Sequence, residues 1–134
     1  MTKKKIIIAG SAKLQGEIKE WIDYWEEKGC VVVDFPRSIP KKTFNKTYPG
    51  VHKKFYADIL KADIFFVANG KKNGIMGYIG PETFAELAFA VIRKISNKQK
   101  IKIILARMPS KKVASHEEIK RWLHLGWIDE ILCK

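Results

Sequence analysis

Four short segments of the chain are apolar at nearly every position, and stretches with helical periodicity separate them. These segments cover residues 6–9, 30–33, 64–68 and 101–106. A strand that is apolar throughout, instead of alternating with polar residues, is typical of a parallel sheet that helices cover on both faces. The alternation of strands and helices therefore predicts a doubly wound α/β fold.

The helices are predicted from apolar residues that recur every three or four positions. The predicted helices cover residues 14–28, 51–60, 81–95 and 115–125. Residues 35–50 contain three prolines and several lysines, which favours a long loop of the kind that often covers a site. Residues 127–132 favour a fifth, edge strand, with more helix as the alternative, so a parallel sheet of four or five strands is expected.

The size and composition fit a single domain over residues 1–134. The chain has 134 residues, of which 46% are hydrophobic, so it can bury one core without a metal or a disulfide. No apolar run reaches the roughly 18 residues of a membrane span, and no signal-peptide core follows the first lysines. Cys30 and Cys133 lack the spacing of a zinc or redox pair, so we expect free thiols and a cytoplasmic location.

The charge of the chain restricts its partners only in part. The formal net charge of +12 attracts either nucleic acids or phosphorylated small molecules. The lysines are spread along the whole chain, which favours a basic solvated surface over a nucleic-acid interface. His52, His116 and His124 lie on separate helical segments with no i, i+4 partner and no cysteine pair nearby, so neither a metal site nor a cofactor is expected.

A glycine-rich loop, residues 69–80, connects the third strand to the third helix. Gly80 is expected to cap that helix, and Pro81 to be its first residue. In doubly wound folds, ligands bind beyond the carboxyl ends of the strands. Here those ends carry Gly10 and Ser11, the proline- and lysine-containing loop and the glycine-rich loop, so three segments are expected to form one crevice.

Glu86 is the main catalytic candidate, because it is a single carboxylate in an otherwise apolar stretch of the third helix. Burial of an unpaired carboxylate costs several kcal/mol, so it requires a partner, a cavity or a function. Glu82 lies one turn earlier on the same face, near the positive end of the helix dipole, and we expect both carboxylates to be ionised. A pair about 5 Å apart matches the double displacement of retaining glycosyl transfer. The alternatives are that Glu82 only complements the dipole and that the backbone or a lysine satisfies Glu86.

Further residues near the strand ends are candidates for ligand binding. Thr83 can donate its hydroxyl to a ligand or to the helix backbone. Tyr78 can stack on a base or ribose, or cover the core. Asn69 can bind a ligand or brace the turn after the third strand. Gly10 and Ser11 can present backbone N–H groups and a hydroxyl to a phosphate.

Two segments of the chain resemble the nucleoside 2-deoxyribosyltransferase superfamily, most of all a small branch of it. They are residues 62–69, Ala-Asp-Ile-Phe-Phe-Val-Ala-Asn, and residues 77–90, Gly-Tyr-Ile-Gly-Pro-Glu-Thr-Phe-Ala-Glu-Leu-Ala-Phe-Ala. The spacing from Thr83 to Glu86 is the most specific part, and residues 7–11 and the chain length also agree. The resemblance implies a flavodoxin-like (Rossmann-type) domain, a homo-oligomer, and Glu86 as the nucleophile that takes the deoxyribosyl group from a base.

The sequence departs from this family at two positions. Gly80 stands where these transferases commonly have an aspartate that handles the leaving base, and Phe55 stands where an acidic residue is usual. Glu82 and Asp58 are the candidates to replace these acids. Cytokinin-activating phosphoribohydrolases also place a glycine-rich turn, a threonine and a glutamate at this spacing, so a nucleotide N-glycosidase is a close variant.

The expected function is cleavage or transfer at the N-glycosidic bond of a (deoxy)nucleoside or nucleoside monophosphate, with Glu86 as nucleophile. The expected substrate-binding residues are Gly10, Ser11, Asn69, Tyr78, Gly80, Glu82 and Thr83. One alternative is a nucleotide-binding or sensing module of the same fold without catalysis. A second alternative is a basic nucleic-acid-binding protein, which predicts strongly salt-dependent binding.

Overall fold

The computed structural model describes residues 3–133 and shows an α/β fold around one sheet of five parallel strands. The strands are β1 (Lys5–Ala9), β2 (Val31–Asp34), β3 (Ile64–Val67), β4 (Lys102–Arg107) and β5 (Glu130–Cys133). The helices are α1 (Gln15–Glu27), α2 (Phe44–Ile59), α3 (Pro81–Ser96) and α4 (His116–His124). All neighbouring strands pair in parallel, so the predicted doubly wound sheet is confirmed.

The strand order is β2-β1-β3-β4-β5, which is the flavodoxin-like order. The chain moves in one direction along the sheet from β1 to β2, and in the opposite direction from β2 onwards. Because crossovers between parallel strands are right-handed, this reversal places α1 on one face and the other three helices on the opposite face. The reversal point lies between β1 and β3, where the loops separate and leave room for a ligand.

Both faces of the sheet are buried, as the continuous apolar runs predict. Ile6 and Ile8 of β1 belong to one cluster with Ile18 of α1. Ile7, between them, belongs to a second cluster that includes side chains of the three helices on the opposite face. No helix within residues 3–133 has the length and apolar character to cross a membrane.

The prediction of a loop over residues 35–50 is wrong in its second half. A short 3-10 turn, Lys41–Thr43, leads into α2, which begins at Phe44 and contains Pro49. A proline inside a helix removes one backbone hydrogen bond. Stacking of aromatic rings one turn apart stabilises these first turns, since the ring centroids of Phe44 and Tyr48 lie 5.1 Å apart.

The predicted edge strand at the end of the chain is confirmed as β5, although it begins at Glu130 and not at residue 127. The backbone N–H groups of Trp127 and Ile128 both donate to the carbonyl of Trp122, so these residues close the turn after α4. Asp129 then accepts a hydrogen bond of 2.7 Å from the backbone N–H of Ile103 in β4. The pairing of β5 with β4 begins at the next residue, Glu130.

Candidate active site

A cavity of about 380 Å³ lies at the reversal point of the sheet, beyond the carboxyl ends of β1, β2 and β3. Its lining comes from residues 10–13, from the loop after β2, from one side of α2, from the glycine-rich loop and from the first two turns of α3. The three strand-end segments therefore line one crevice, as the sequence predicts. The volume falls within the range of small-molecule sites, roughly 300 to 1,000 Å³.

The glycine-rich loop places the start of α3 beside this cavity. Gly80 is the N-cap, with extended backbone angles of φ −82° and ψ 176°, and Pro81 is the first helical residue, as expected. The backbone N–H of Phe84 donates to the carbonyl of Gly80 at 2.9 Å. Gly77 has a φ of 68°, and a Cβ there would lie 2.8 Å from the carbonyl oxygen of Met108. The loop therefore requires a glycine at position 77 to pack against the segment that follows β4.

Glu86 lines the cavity from the second turn of α3, and its side chain is almost fully removed from water. Only 6% of the residue is exposed, and the next residue, Leu87, is fully buried. Within residues 3–133, its carboxylate has neither a hydrogen-bond donor nor a salt-bridge partner. The alternative in which the backbone or a lysine satisfies this carboxylate therefore does not hold for the described part of the chain.

The environment of Glu86 favours its neutral form. Burial raises its pKa from 4.5 to about 8, and the negative charges of Glu82 and Asp34 add to the rise. The expectation that the helix dipole keeps this carboxylate ionised is wrong, because the effect of the dipole is confined to the first turn and desolvation dominates in the second. At neutral pH the cavity therefore holds Glu86 mostly as the uncharged acid.

Glu82 lies in the first turn of α3 and lines the same cavity, with a side chain that is 59% exposed. One of its carboxylate oxygens lies within 4.8 Å of a carboxylate oxygen of Glu86. This separation is comparable to the roughly 5 to 5.5 Å between the two carboxyl groups of retaining glycosidases. The structure thus brings the two predicted carboxylates together at one wall of the cavity.

His52 is a residue of this site that the sequence did not indicate. It lies on α2, its Nδ1 is 4.0 Å from Oε1 of Glu82, and a ring nitrogen lies within 4.8 Å of the Glu86 carboxylate. Tyr48 stacks on the imidazole at 4.9 Å between centroids, and Tyr56 meets it edge-on at 4.7 Å. The sequence gives this histidine no metal-ligating partner at helical spacing, but in the fold one nitrogen and two carboxylates converge here. The signal in the sequence was the run of aromatic residues at every fourth position of α2, which the prolines obscured.

Asn69 does not line the cavity, although the sequence made it a binding candidate. Its Nδ2 donates to the carbonyl of Gly77 at 3.2 Å and to the carbonyl of Arg107 at 2.7 Å. Its Oδ1 accepts from the backbone N–H of Arg107 at 3.2 Å, and the residue is 1% exposed. The whole amide is used to tie the glycine-rich loop to β4, which is the turn-bracing alternative.

The other predicted binding residues all border the cavity. These residues are Gly10, Ser11, Tyr78, Gly80 and Thr83. A Cβ at Gly10 would lie 3.0 Å from the carbonyl oxygen of Ala68, so the absence of a side chain lets the loop after β1 approach the end of β3. This close approach forms the floor between the two strand ends.

Cationic side chains also border the cavity, together with aromatic rings. The cations are Lys13, Arg37 and Lys72. The ammonium group of Lys72 lies 4.9 Å from the centroid of Tyr78, and the guanidinium carbon of Arg37 lies 4.0 Å from that of Phe35. Aromatic walls beside positive charge suit a ligand that combines a planar ring with an anionic group.

Of the two acids considered as replacements for those of the family, only Glu82 borders the cavity. Asp58 lies farther along α2, and its carboxylate accepts a hydrogen bond of 2.6 Å from Lys54. Phe55 is buried and forms part of the apolar lining. The acidic groups available to a ligand in this cavity are therefore those of α3.

The fold and the site together define an α/β protein of flavodoxin-like order with a buried carboxylate in a cavity at its reversal point. No model of a known protein family matches the chain, and no curated protein shows significant sequence similarity to it. Its function is therefore inferred from the geometry of the site and the chemistry of the residues in it.

Proposed function

We propose that this protein cleaves or transfers at the N-glycosidic bond of a (deoxy)nucleoside or nucleoside monophosphate, with Glu86 as the nucleophile. The observation that supports this most strongly is an unpartnered carboxylate, 6% exposed, on the wall of a cavity of about 380 Å³. A structural role alone does not account for it, because an unpaired buried carboxylate is costly. The resemblance of residues 77–90 to the nucleoside 2-deoxyribosyltransferase superfamily supports the same chemistry.

The reaction we propose is a double displacement. A carboxylate oxygen of Glu86 attacks the anomeric carbon of the sugar, and the bond from that carbon to the base nitrogen breaks with its electron pair leaving on the base. The departing base takes a proton from a nearby acid, and His52 and Glu82 are two titratable groups within 4.8 Å of Glu86. Water or a second base then attacks the same carbon, returns a proton to that group and releases the Glu86 carboxylate.

The raised pKa of Glu86 has a direct consequence for this mechanism. Only the ionised carboxylate is nucleophilic, so with a pKa of about 8 the reactive fraction is small at neutral pH and increases as the pH rises. A carboxylate that is largely removed from water also interacts strongly with the positive charge that develops on the sugar in the transition state. Burial therefore reduces the population of the nucleophile and strengthens its interaction with the transition state.

The cations around the cavity favour a monophosphate over an uncharged nucleoside. Lys13, Arg37 and Lys72 border the cavity together with the backbone of Gly10 and Ser11. Backbone N–H groups at the end of a strand, backed by lysine and arginine, form a common type of phosphate site. We therefore place the phosphate near these residues and the sugar near Glu86.

The experiment is an assay of base release from a panel of nucleosides, deoxynucleosides and their monophosphates, with and without an acceptor base, followed by chromatography. The wild-type protein is compared with Glu86→Gln and with Glu20→Gln, a matched change at an exposed position of α1. We expect Glu86→Gln to lower the rate at least about a thousandfold and Glu20→Gln to leave it unchanged. Absence of base release from the whole panel, or full activity of Glu86→Gln, contradicts the proposal.

A nucleotide-binding module without catalysis is the second candidate function. The raised pKa of Glu86 favours it, because a neutral carboxyl group donates a hydrogen bond to a ligand and does not attack a sugar. This function predicts that a nucleotide raises the melting temperature while no base is released. A ligand at about 100 times its dissociation constant stabilises a protein by about 2.7 kcal/mol, which a thermal-shift assay detects readily.

We also propose that the protein acts as a homo-oligomer in the cytoplasm. The exposed side of α3 carries Ile92 and Ile95, which are 51% and 39% exposed. Apolar residues one turn apart on an open helix face suit an interface between copies of the chain. Light scattering tests whether the protein is a homo-oligomer, and a monomer at micromolar concentration contradicts this proposal.

The proposed cytoplasmic location is supported by the cysteines. Cys30 and Cys133 are free thiols, which fits a reducing compartment.

A further inference from the structure

We propose that His52, Glu82 and Glu86 form a binding site for one divalent transition-metal ion of the zinc type. This inference goes beyond the proposed reaction, in which Glu86 acts without a metal. It concerns a ligand that competes for the same carboxylate and so regulates the site. The evidence is the arrangement of the three donor groups and the lack of partners at two of them.

The three donor atoms are close enough to share a metal after a small adjustment. One donor atom from each of the three residues lies within 4.8 Å of the others. The ligands of a tetrahedral zinc ion lie about 3.3 Å apart, because each is about 2.0 to 2.1 Å from the metal. Each gap therefore has to close by at most about 1.5 Å, and Glu82, whose side chain is 59% exposed, can contribute by changing rotamer.

Two of the donor groups have no partner within residues 3–133. Nδ1 of His52 is inaccessible to solvent and forms no hydrogen bond within residues 3–133. Its nearest acidic atom, Oε1 of Glu82, lies 4.0 Å away, which is too far for a hydrogen bond. Glu86 is more than nine-tenths buried, and its carboxylate has no partner either in the described part of the chain. Buried polar groups are normally satisfied, and a cation bound between His52 and Glu86 would supply the missing partner.

The chemistry of the donors indicates the class of metal. One imidazole nitrogen with two carboxylates is the kind of mixed set that binds Zn²⁺ and similar transition metals, whereas Mg²⁺ and Ca²⁺ prefer oxygen ligands alone. The imidazole is also held in place, because Tyr48 stacks on it and Tyr56 packs against its edge. Three protein ligands leave an open position on the metal that faces the cavity.

Metal binding and the proposed reaction exclude one another at Glu86. A carboxylate oxygen that donates its lone pair to a metal cannot attack a sugar carbon, and the ion also occupies space beside the nucleophile. A bound metal is therefore expected to inhibit base release, and a chelator is expected to restore it. The metal site would act as an off-switch that responds to free transition metal.

The test measures metal binding directly, in the absence of any substrate. The full chain is treated with a chelator, dialysed and titrated with Zn²⁺, and in a separate experiment with Mg²⁺, by isothermal calorimetry. We expect one Zn²⁺ per chain and at least tenfold weaker binding of Mg²⁺. The variants Glu82→Gln and His52→Gln are expected to weaken Zn²⁺ binding at least about tenfold. His124→Gln, at an exposed position of α4, serves as the matched control.

The outcomes separate this site from the proposed enzyme activity. Absence of Zn²⁺ binding, or binding that Glu82→Gln and His52→Gln leave unchanged, overturns the inference whatever the assay of base release shows. Because Glu82 is exposed, loss of folding does not explain a change in that variant, and circular dichroism checks each protein. If the protein binds Zn²⁺ specifically but releases no base, the metal site is supported and only the enzyme proposal is contradicted.

Discussion

The substitution Glu86→Gln is predicted to change how the stability of the protein depends on pH. Glutamine has nearly the shape of glutamic acid but cannot ionise. The pKa of Glu86 is about 8 in the fold, against an ordinary value of 4.5, so the folded state binds its proton more tightly than the unfolded state. The wild-type protein therefore loses stability as the pH rises from about 4.5 to about 8, and Glu86→Gln does not show this loss.

The magnitude follows from the difference between the pKa of Glu86 in the folded and in the unfolded chain. A pKa difference of one corresponds to about 1.4 kcal/mol, and between pH 6 and pH 9 ionisation of this group lowers the free energy of unfolding of the wild type by roughly 2 to 3 kcal/mol. Urea unfolding with a chelator present, at both pH values, measures the difference between the two proteins. Subtraction cancels the titration of the groups that both proteins share.

Glu20→Gln provides the control for this comparison, because Glu20 is an exposed residue of α1. Its difference from wild type should remain within about 0.5 kcal/mol at both pH values. The reasoning is refuted if Glu86→Gln shows the same small, pH-independent difference as this control. That result would mean that the carboxylate of Glu86 is already ionised at pH 6 and is solvated or paired in solution.

Further predictions concern the reaction and the loop that shapes the site. The value of kcat/KM for base release should follow a bell-shaped pH profile, because the reaction requires Glu86 to be ionised and its proton donor to be protonated, and a flat profile from pH 6 to 9 contradicts this. Lys13→Ala should raise the KM for a monophosphate roughly tenfold and leave that for the nucleoside unchanged, and equal effects on both would place the phosphate elsewhere. Asn69→Ala should lower the free energy of unfolding by about 2 to 4 kcal/mol, because it leaves backbone groups of Gly77 and Arg107 unpaired, and a loss below about 1 kcal/mol in urea unfolding contradicts it. Gly77→Ala should destabilise by more than about 1 kcal/mol, because its φ is 68° and a Cβ would contact the backbone, and an unchanged melting temperature contradicts that.

The fold was predictable because burial on both faces of a parallel sheet leaves a strong pattern in the sequence. A run such as residues 64–68, apolar at each position, fits few other structures. The start of α2 was not predictable in the same way. Prolines are typical of loops, and the stacking of Phe44 on Tyr48 that supports a helix there is a contact between side chains. Local propensity was overridden by this packing.

The site was predictable where it depends on one element and not where it depends on two. Glu82 and Glu86 share a face of α3 by helical spacing alone. The aromatic spacing of α2 could place His52 on one face of that helix, but His52 reaches the two carboxylates only because α2 packs beside α3, which the local sequence does not show. The ionisation of Glu86 was mistaken for the same reason, since desolvation depends on depth in the folded chain and outweighs the helix dipole seen from the sequence.

The central claim, that Glu86 forms a covalent bond to the sugar, is tested most directly by mass spectrometry of a reaction quenched in acid during turnover. The account predicts an intact-protein mass increased by one glycosyl group, with or without its phosphate, and peptide mapping that locates the group on the side chain of residue 86. The adduct should be absent from Glu86→Gln. An adduct mapped to another residue, or base release by Glu86→Gln at the wild-type rate, contradicts the account.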